Sequence, residues 1–323
     1  MIKAARPAGL VVGFLADAVF GDPHRGHPVA GFGRCAAALE KLTYRDSAAA
    51  GILHTGVLIG GLAAVGALGV RAGRGGPASV LLTGAATWTA LGGTTLARAG
   101  AAMADLLDAG DIDAGRALLG SLCGRDPAAL ETAGLARAAC ESVAENTSDA
   151  AVAALLWAAV GGVPAVLAYR GINTLDAMIG HRSPRYAEFG WAAAKLDDLA
   201  NLVPARLSAA LTVLCAPVVG GSPAGAVRAW RRDAARHPSP NAGVVEAAFA
   251  GALGVRLGGP TQYRHQLEIR PTLGDGRPVE VGDLRRAVRL SRAVQAAALV
   301  VSLGLAAVLS GAGRSGRPVS VPR

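Results

Sequence analysis

Glu141-Ser-Val-Ala-Glu145-Asn-Thr-Ser-Asp149 runs without interruption into Ala150-Ala-Val-Ala-Ala-Leu-Leu-Trp-Ala-Ala-Val-Gly-Gly-Val-Pro-Ala-Val-Leu-Ala-Tyr169. Read as a helix, the first stretch puts Glu141, Glu145 and Asp149 on one face, four residues apart, where like charges repel. The second stretch is almost wholly apolar. A further polar cluster, Asn173-Thr-Leu-Asp176-Ala-Met-Ile-Gly-His181-Arg182, follows it. Ionisable groups on both sides of a lipid-grade run are costly unless they serve a purpose, so this junction decides both the fold class and the search for a site.

Composition supports the same class. The chain has 323 residues, of which 52% are hydrophobic and 17% charged, with 44 glycines. Soluble domains usually carry about 25% charged residues. Abundant small residues suit helices packed closely in lipid. The expected fold is therefore all-α, a multi-pass membrane protein whose polar helical segments and loops carry the site.

A span needs roughly 20 apolar residues. Residues 51–70, 78–97 and 293–309 qualify, and Arg71-Ala-Gly-Arg74-Gly-Gly-Pro77 makes the first two a hairpin. Residues 150–169 are split by Gly161-Gly162-Val-Pro164, residues 207–220 are short and contain Pro217, and both are read as re-entrant or spanning. Leu10–Phe20 is too short to span alone. Asp17 interrupts it and no small-residue cleavage site follows, so it is not read as a signal peptide. Asp126 before Pro127 reads as the cap of a helix over 127–144. The β-branched residues of 268–281, with Gly274-Asp275-Gly276, read as a small hairpin or an irregular loop. Residues 1–311 form one membrane domain, and 312–323 a disordered tail.

The net charge is +9. Its arginines lie in segments between apolar runs, without interleaved aromatics, which speaks for cytoplasmic loops rather than nucleic acid. Cys35, Cys123, Cys140 and Cys215 form no CxxC pair, so neither zinc nor a disulfide framework is expected. Walker A, GxSxG and HExxH patterns are absent from the sequence.

Five polar constellations remain. Gly21-Asp22-Pro23 with His27-Pro28-Val29 reads first as a turn. The Glu141/Glu145/Asn146/Asp149 face needs a metal or basic partners where it is buried. Asn173, Asp176, His181 and Arg182 suit a phosphate or carboxylate. Lys195-Leu-Asp197-Asp198-Leu-Ala-Asn201, ending at Arg206, offers oxygen ligands suited to Mg²⁺, or simply an acidic helix start. His237-Pro-Ser-Pro-Asn241, followed by Glu246, fixes a loop in which Ser239 or Asn241 caps a helix near Val244.

Taken together these clusters resemble the CobD/CbiB family, the adenosylcobinamide-phosphate synthases. Further matching motifs are Gly124-Arg125-Asp126, Tyr186, Phe189-Gly-Trp191 and Leu257-Gly-Gly259. Arg264-His265-Gln266 after Tyr263, and Pro127 where threonine is common, depart from the pattern in loops. The resemblance implies ATP-dependent amide formation between adenosylcobyric acid and (R)-1-amino-2-propanol phosphate at the cell membrane, with the site on the cytoplasmic face. It implies ATP and Mg²⁺, with a corrinoid acid and aminopropanol phosphate as partners beside the lipid bilayer and other enzymes of the cobalamin pathway. The residues expected in catalysis are Glu141, Glu145, Asp149, Asp197 and Asp198, and all but Glu141 are expected to hold Mg²⁺. Asp22, His27, Arg125, Asn146, Asn173, Asp176, His181, Arg182, Lys195, Asn201, Arg206, His237, Asn241 and Glu246 are expected to bind substrate. A membrane corrinoid carrier or an AmpE-like sensory protein is the alternative, and a carrier predicts repeat-related broken helices.

Overall fold

The computed structural model describes residues 2–23, 26–73, 75–128, 130–181, 183–262 and 267–312. Arg182, residues 264–266 and the tail from residue 313 on lie outside them. In chain order the elements are α1 (Ile2–Phe20), α2 (Pro28–Thr43), α3 (Ala48–Ala72), α4 (Pro77–Ala90), α5 (Gly93–Asp108), α6 (Ile112–Leu119), α7 (Thr132–Thr147), α8 (Ala153–Leu175), α9 (Trp191–Ala200), α10 (Leu202–Cys215), α11 (Pro223–Asp233) and α12 (Ala242–Leu253). A two-stranded hairpin, β1 (Leu257–Gln262) and β2 (Leu267–Leu273), precedes α13 (Val281–Ala312). Four helical stretches are long and apolar enough to cross a bilayer: Ala48–Ala72, Thr132–Gly180, Leu202–Val219 and Val281–Ser310. The protein is an all-α multi-pass membrane protein, with the hairpin its one sheet among the described residues.

Two compact units are distinguished. The first draws on Met1–Leu91, Ala154–Ala194 and Leu299–Arg323, the second on Gly92–Ala153 and Lys195–Ala298. In the first, α1 packs against α4 through small residues. Gly9 and Gly13 bring their backbone against Thr83 and Thr87, which is how membrane helices approach closely. Helix α1 has 19 residues, longer than the expected apolar run of Leu10–Phe20, because Ile2–Gly9 continues it.

Several boundaries differ from the sequence reading. The run 78–97 is not one helix: it breaks at Leu91-Gly92, and α5 starts at Gly93. The break expected over Gly161-Gly162-Val-Pro164 is present, at Gly162, which has φ 65° and ψ −149°. Proline has no N–H for the carbonyl four residues earlier, and that carbonyl belongs to Val160. Arg6 Nη1 takes it at 3.0 Å and the Ala159 carbonyl at 3.1 Å, so the break is sealed by a cation. Helix α10 passes into a 3₁₀ turn, Ala216–Val219, at Pro217. The Pro127 helix start is also displaced. Asp126 Oδ1 accepts the Ala128 N–H in a turn, and α7 begins only at Thr132.

Gly51 of α3 carries no side chain where the Phe189 carbonyl lies against it. Gly51→Ala is expected to cost about 1–3 kcal/mol by overpacking, while Gly60→Ala, with open space at its Cβ, leaves the protein unchanged. Melting of the detergent-solubilised variants checks this, and equal melting temperatures would refute it.

Candidate functional site

Helix α7 presents Arg137, Glu141 and Glu145 four residues apart, on one face. The hairpin is clamped onto that face. Arg137 donates from Nη1 to the Gly258 carbonyl at 2.7 Å and from Nη2 to the Pro260 carbonyl at 2.7 Å. Gly258 N–H donates to Glu141 Oε1 at 2.6 Å. Gly258 and Gly259 have φ of 80° and 88°, a region that suits glycine, and a bulge lies between Leu257 and Gly259. The hairpin's partner strands are therefore Leu257–Gln262 and Leu267–Leu273. Gly274-Asp275-Gly276 follows the second strand rather than forming the hairpin turn.

The other Glu141 oxygen pairs with Arg125, whose side chain is as buried as the carboxylate itself. Ser142 donates to the Leu122 carbonyl at 2.6 Å, fixing the loop that brings Arg125 in. Leu122, Cys123, Gly124, Arg125, Ala138, Glu141, Ser142, Glu145 and Arg270 enclose a cavity of about 180 Å³. Register pairs Arg270 of β2 with Gly259. Side chains two apart share a strand face, so Arg270 and Glu268 point one way while Ile269, 73% exposed, points the other.

Two further groups belong to this chamber's field. Glu246 on α12 is 1% exposed. Burial pushes its carboxyl well above the usual carboxylate range, and the Glu141 and Glu145 charges push it the same way. His237 is nine-tenths buried. Its Nδ1 lies 3.1 Å from the Ser239 amide nitrogen and 3.3 Å from the Ser239 carbonyl oxygen, so this nitrogen finds a partner in either tautomer. Among the described residues no group meets the ring's buried Nε2. Burial first, and the Arg270 cation second, lower the His237 pKa from 6.5, so the ring takes up its proton at a lower pH than a free imidazole does. The cavity thus sets two arginines beside two glutamates, and their charges act on a histidine whose pKa is lowered and a carboxyl whose pKa is raised.

Other expected residues have different settings. A π turn, Ser148–Val152, follows α7 and carries Asp149 off the α-helical stripe of Glu141 and Glu145. Asn146 donates to the Ser142 carbonyl at 3.0 Å. Asn201 donates to Asp197 Oδ2 at 3.0 Å, and Lys195 pairs with Asp198 at 3.3 Å. Asn241 is occupied at both ends of its amide: it accepts from Arg206 at 2.8 Å and donates to the Asp198 carbonyl at 2.7 Å. Its geometry ties α9 to the start of α12, and Ser239, not Asn241, caps that helix through the Ala242 N–H. Among the described residues no three His, Cys, Asp or Glu side chains converge as a metal cage. Glu145, Asp149, Asp197 and Asp198 are thus not brought together as one.

Asp22, His27, Asn173, Asp176 and His181 belong to the first unit. His27 Nδ1 accepts the Val29 N–H at 3.1 Å and caps α2, with Asp22 3.8 Å from Nε2. Asn173 accepts from Arg170 at 3.4 Å. Asp176 opens a second π turn, Asp176–Gly180, and His181 stacks edge-on against Tyr186 at 5.1 Å. Tyr186 and Arg185 both donate to the buried Glu40, a contact set absent from the sequence reading.

The family model described as CobD/Cbib protein matches residues 10–291. The chain belongs to the CobD/CbiB family. A cobalamin biosynthesis protein CobD of Mycobacterium tuberculosis is 67% identical over 301 residues, covering 93% of this chain and 96% of the relative. Proteins of the same name from Rhodobacter capsulatus and Geobacter metallireducens are 42% and 40% identical, each covering 94% of this chain and 98% of the relative. No solved structure matches. Membership of CobD/CbiB places the protein in cobalamin biosynthesis. Arg270, which lines the chamber, and Arg137, which clamps the hairpin, are the site residues that sequence reasoning missed. Arg270 sits in the segment 268–281, read as a small hairpin or an irregular loop with no site residue in it. The signal available was Glu268-Ile-Arg270, whose polar residues alternate around an isoleucine.

Proposed function

We propose that this CobD/CbiB protein forms an amide between a corrinoid carboxylic acid, adenosylcobyric acid, and (R)-1-amino-2-propanol phosphate at the expense of ATP. The supporting observation is the chamber lined by Arg125, Arg270, Glu141 and Glu145, with the buried Glu246 and His237 within its electrostatic field. A corrinoid carboxylate oxygen attacks the γ-phosphorus of ATP, giving an acyl phosphate and ADP. The amine nitrogen then attacks the acyl carbon, the carbon–oxygen bond to phosphate breaks, and the nitrogen sheds a proton. Such a sequence needs cations for the anionic reactants, a proton acceptor and a donor to the acyl oxygen. Arg270 and Arg125 supply the first, Glu145 the second and His237 Nε2–H the third.

At about 180 Å³ the cavity is below the roughly 300 Å³ at which drug-sized pockets begin, so it admits the reacting arm or the aminopropanol and leaves the corrin ring outside. A protein-only cage for Mg²⁺ does not fit. An ion carried on nucleotide phosphates asks for only one or two carboxylates, and Glu145 is placed to give one. When bound it would neutralise phosphate charge. The site is assigned to the cytoplasmic face, where ATP is available.

Purified protein with both organic substrates and MgATP is expected to release ADP and phosphate in step with amide, and Glu145→Gln to lower turnover 10²- to 10⁴-fold. ATP hydrolysis independent of the amine, or unchanged turnover in the variant, would overturn the reading.

A further inference from the structure

Helix α11 enters directly after the α10 span and its 3₁₀ end, so it lies where the chain leaves the apolar run Leu202–Val219. Its sequence, Pro223-Ala-Gly-Ala-Val-Arg-Ala-Trp-Arg-Arg-Asp233, separates into two faces. Gly225, Ala226 and Ala229 are buried, whereas Arg228, Arg231 and Arg232 are exposed. Those arginines are spaced i, i+3 and i+4, which gathers them on one side of the helix. They border an open groove of about 660 Å³ whose remaining walls are Val213 of α10 with Pro223, Ala224 and Val227. Half-buried Trp230 stands on the same helix, in keeping with the aromatic residues that mark membrane–water boundaries.

The three arginines are not equivalent. Arg232 is held by Asp233 and by Asp275 at 2.7 Å. Arg228 and Arg231 form no salt bridge among the described residues; the lowered pKa of Asp275 is due first to its hydrogen bond from Arg232, with Arg228 adding a smaller push. At this end of the span Leu214 and Val218 are 73% and 66% exposed, which in this class of protein means facing hydrocarbon. An apolar trough that starts on a lipid-facing span and ends at two uncommitted arginines has the polarity of a single amphiphile. Free phosphate or a soluble nucleotide would leave Val213, Pro223, Ala224 and Val227 without a partner.

We infer that the α10–α11 groove binds an anionic phospholipid, with its acyl chain along Val213, Pro223, Ala224 and Val227 and its headgroup phosphate at Arg228 and Arg231. The groove is independent of the reaction chamber.

The test uses the full chain in nanodiscs of phosphatidylcholine containing one-tenth phosphatidylglycerol, released into detergent and weighed by native mass spectrometry. One phosphatidylglycerol is expected to be retained per protein in preference to phosphatidylcholine. Arg228→Gln/Arg231→Gln is expected to weaken that retention roughly thirtyfold, from the usual contribution of a basic residue at an anionic surface. Arg45→Gln/Arg256→Gln removes the same charge from exposed sites elsewhere and is expected to leave it unchanged. Equal retention of the two lipids, or equal loss in both double variants, would overturn the inference. So would displacement by millimolar glycerol phosphate, which would mark a site for free anions.

Discussion

Glu141→Ala is expected to lower the stability of the protein by about 3–5 kcal/mol, the usual cost of stranding one member of a buried ion pair. Three contacts end at this carboxylate. Arg125 pairs with one oxygen, the Gly258 N–H donates to the other, and Arg137 Nε lies 3.9 Å away. Truncation deprives a buried guanidinium of its paired carboxylate and leaves a buried backbone donor without its acceptor. Glu141→Gln keeps an acceptor for Gly258 but not the charge for Arg125, and is expected to lose less. The cycle with Arg125→Gln separates the terms: the double variant is expected to recover part of the summed single losses, because no charge is then stranded. Limited proteolysis adds a local readout, since release of the hairpin should open cleavage around residues 257–273 before global melting. A loss below about 0.5 kcal/mol for Glu141→Ala, within the range of ordinary surface substitutions, would show that the pair does not hold the hairpin.

Glu141 also illustrates what the sequence made legible. Its four-residue spacing to Glu145, and its place beside an apolar run, identify a face that must find cations. Arg125 and Glu246 are likewise visible as polar residues in clustered motifs. The cations supplied by β-structure are not, because strand pairing depends on residues far apart in sequence. Glycine and proline are depleted in strands, so Leu257-Gly-Gly-Pro carries no strand signal, and the positive φ of its two glycines lets it serve as one. Ile269 adds to the concealment. A strand normally buries its apolar side, whereas here the polar side is turned inward because the surface it covers is itself polar.

The spans show the same division. Long apolar runs identify α3 and α13 from composition alone. The break at Leu91-Gly92 falls inside an apolar run with no proline or charge to mark it, so hydropathy joins two helices into one. Pro164 does mark a break, but its consequence appears upstream, at the carbonyl it leaves free. Arg6, more than 150 residues away in sequence, completes that site. The bridging of Asn241 between Arg206 and the Asp198 carbonyl is similarly tertiary: a residue read as a ligand contact is spent on holding two helices together.

Arg270→Gln is expected to reduce kcat/KM for amide formation by 10²- to 10³-fold, the usual loss when one preorganised donor to a developing anion is removed. Of the two arginines in the chamber, Arg125 is bound to Glu141 and its removal confounds stability with chemistry. Arg270 lines the same cavity from β2, with Glu268 3.7 Å from its Nε at the rim, and gives the cleaner test. Glutamine keeps a hydrogen-bond donor of similar reach and removes the charge. Lysine restores the charge without the planar fork and is expected to recover only part of the rate. Two readouts separate binding and reaction from folding. The melting temperature should stay close to that of the parent, because Arg270 is not part of the Glu141 clamp. The pKa of His237 should rise toward 6.5, since the Arg270 cation is among the causes that depress it. Histidine resonances followed by NMR titration would report that shift without reference to turnover. A variant that melts normally, leaves His237 unshifted and turns over at the parent rate would place the reacting anion outside this chamber.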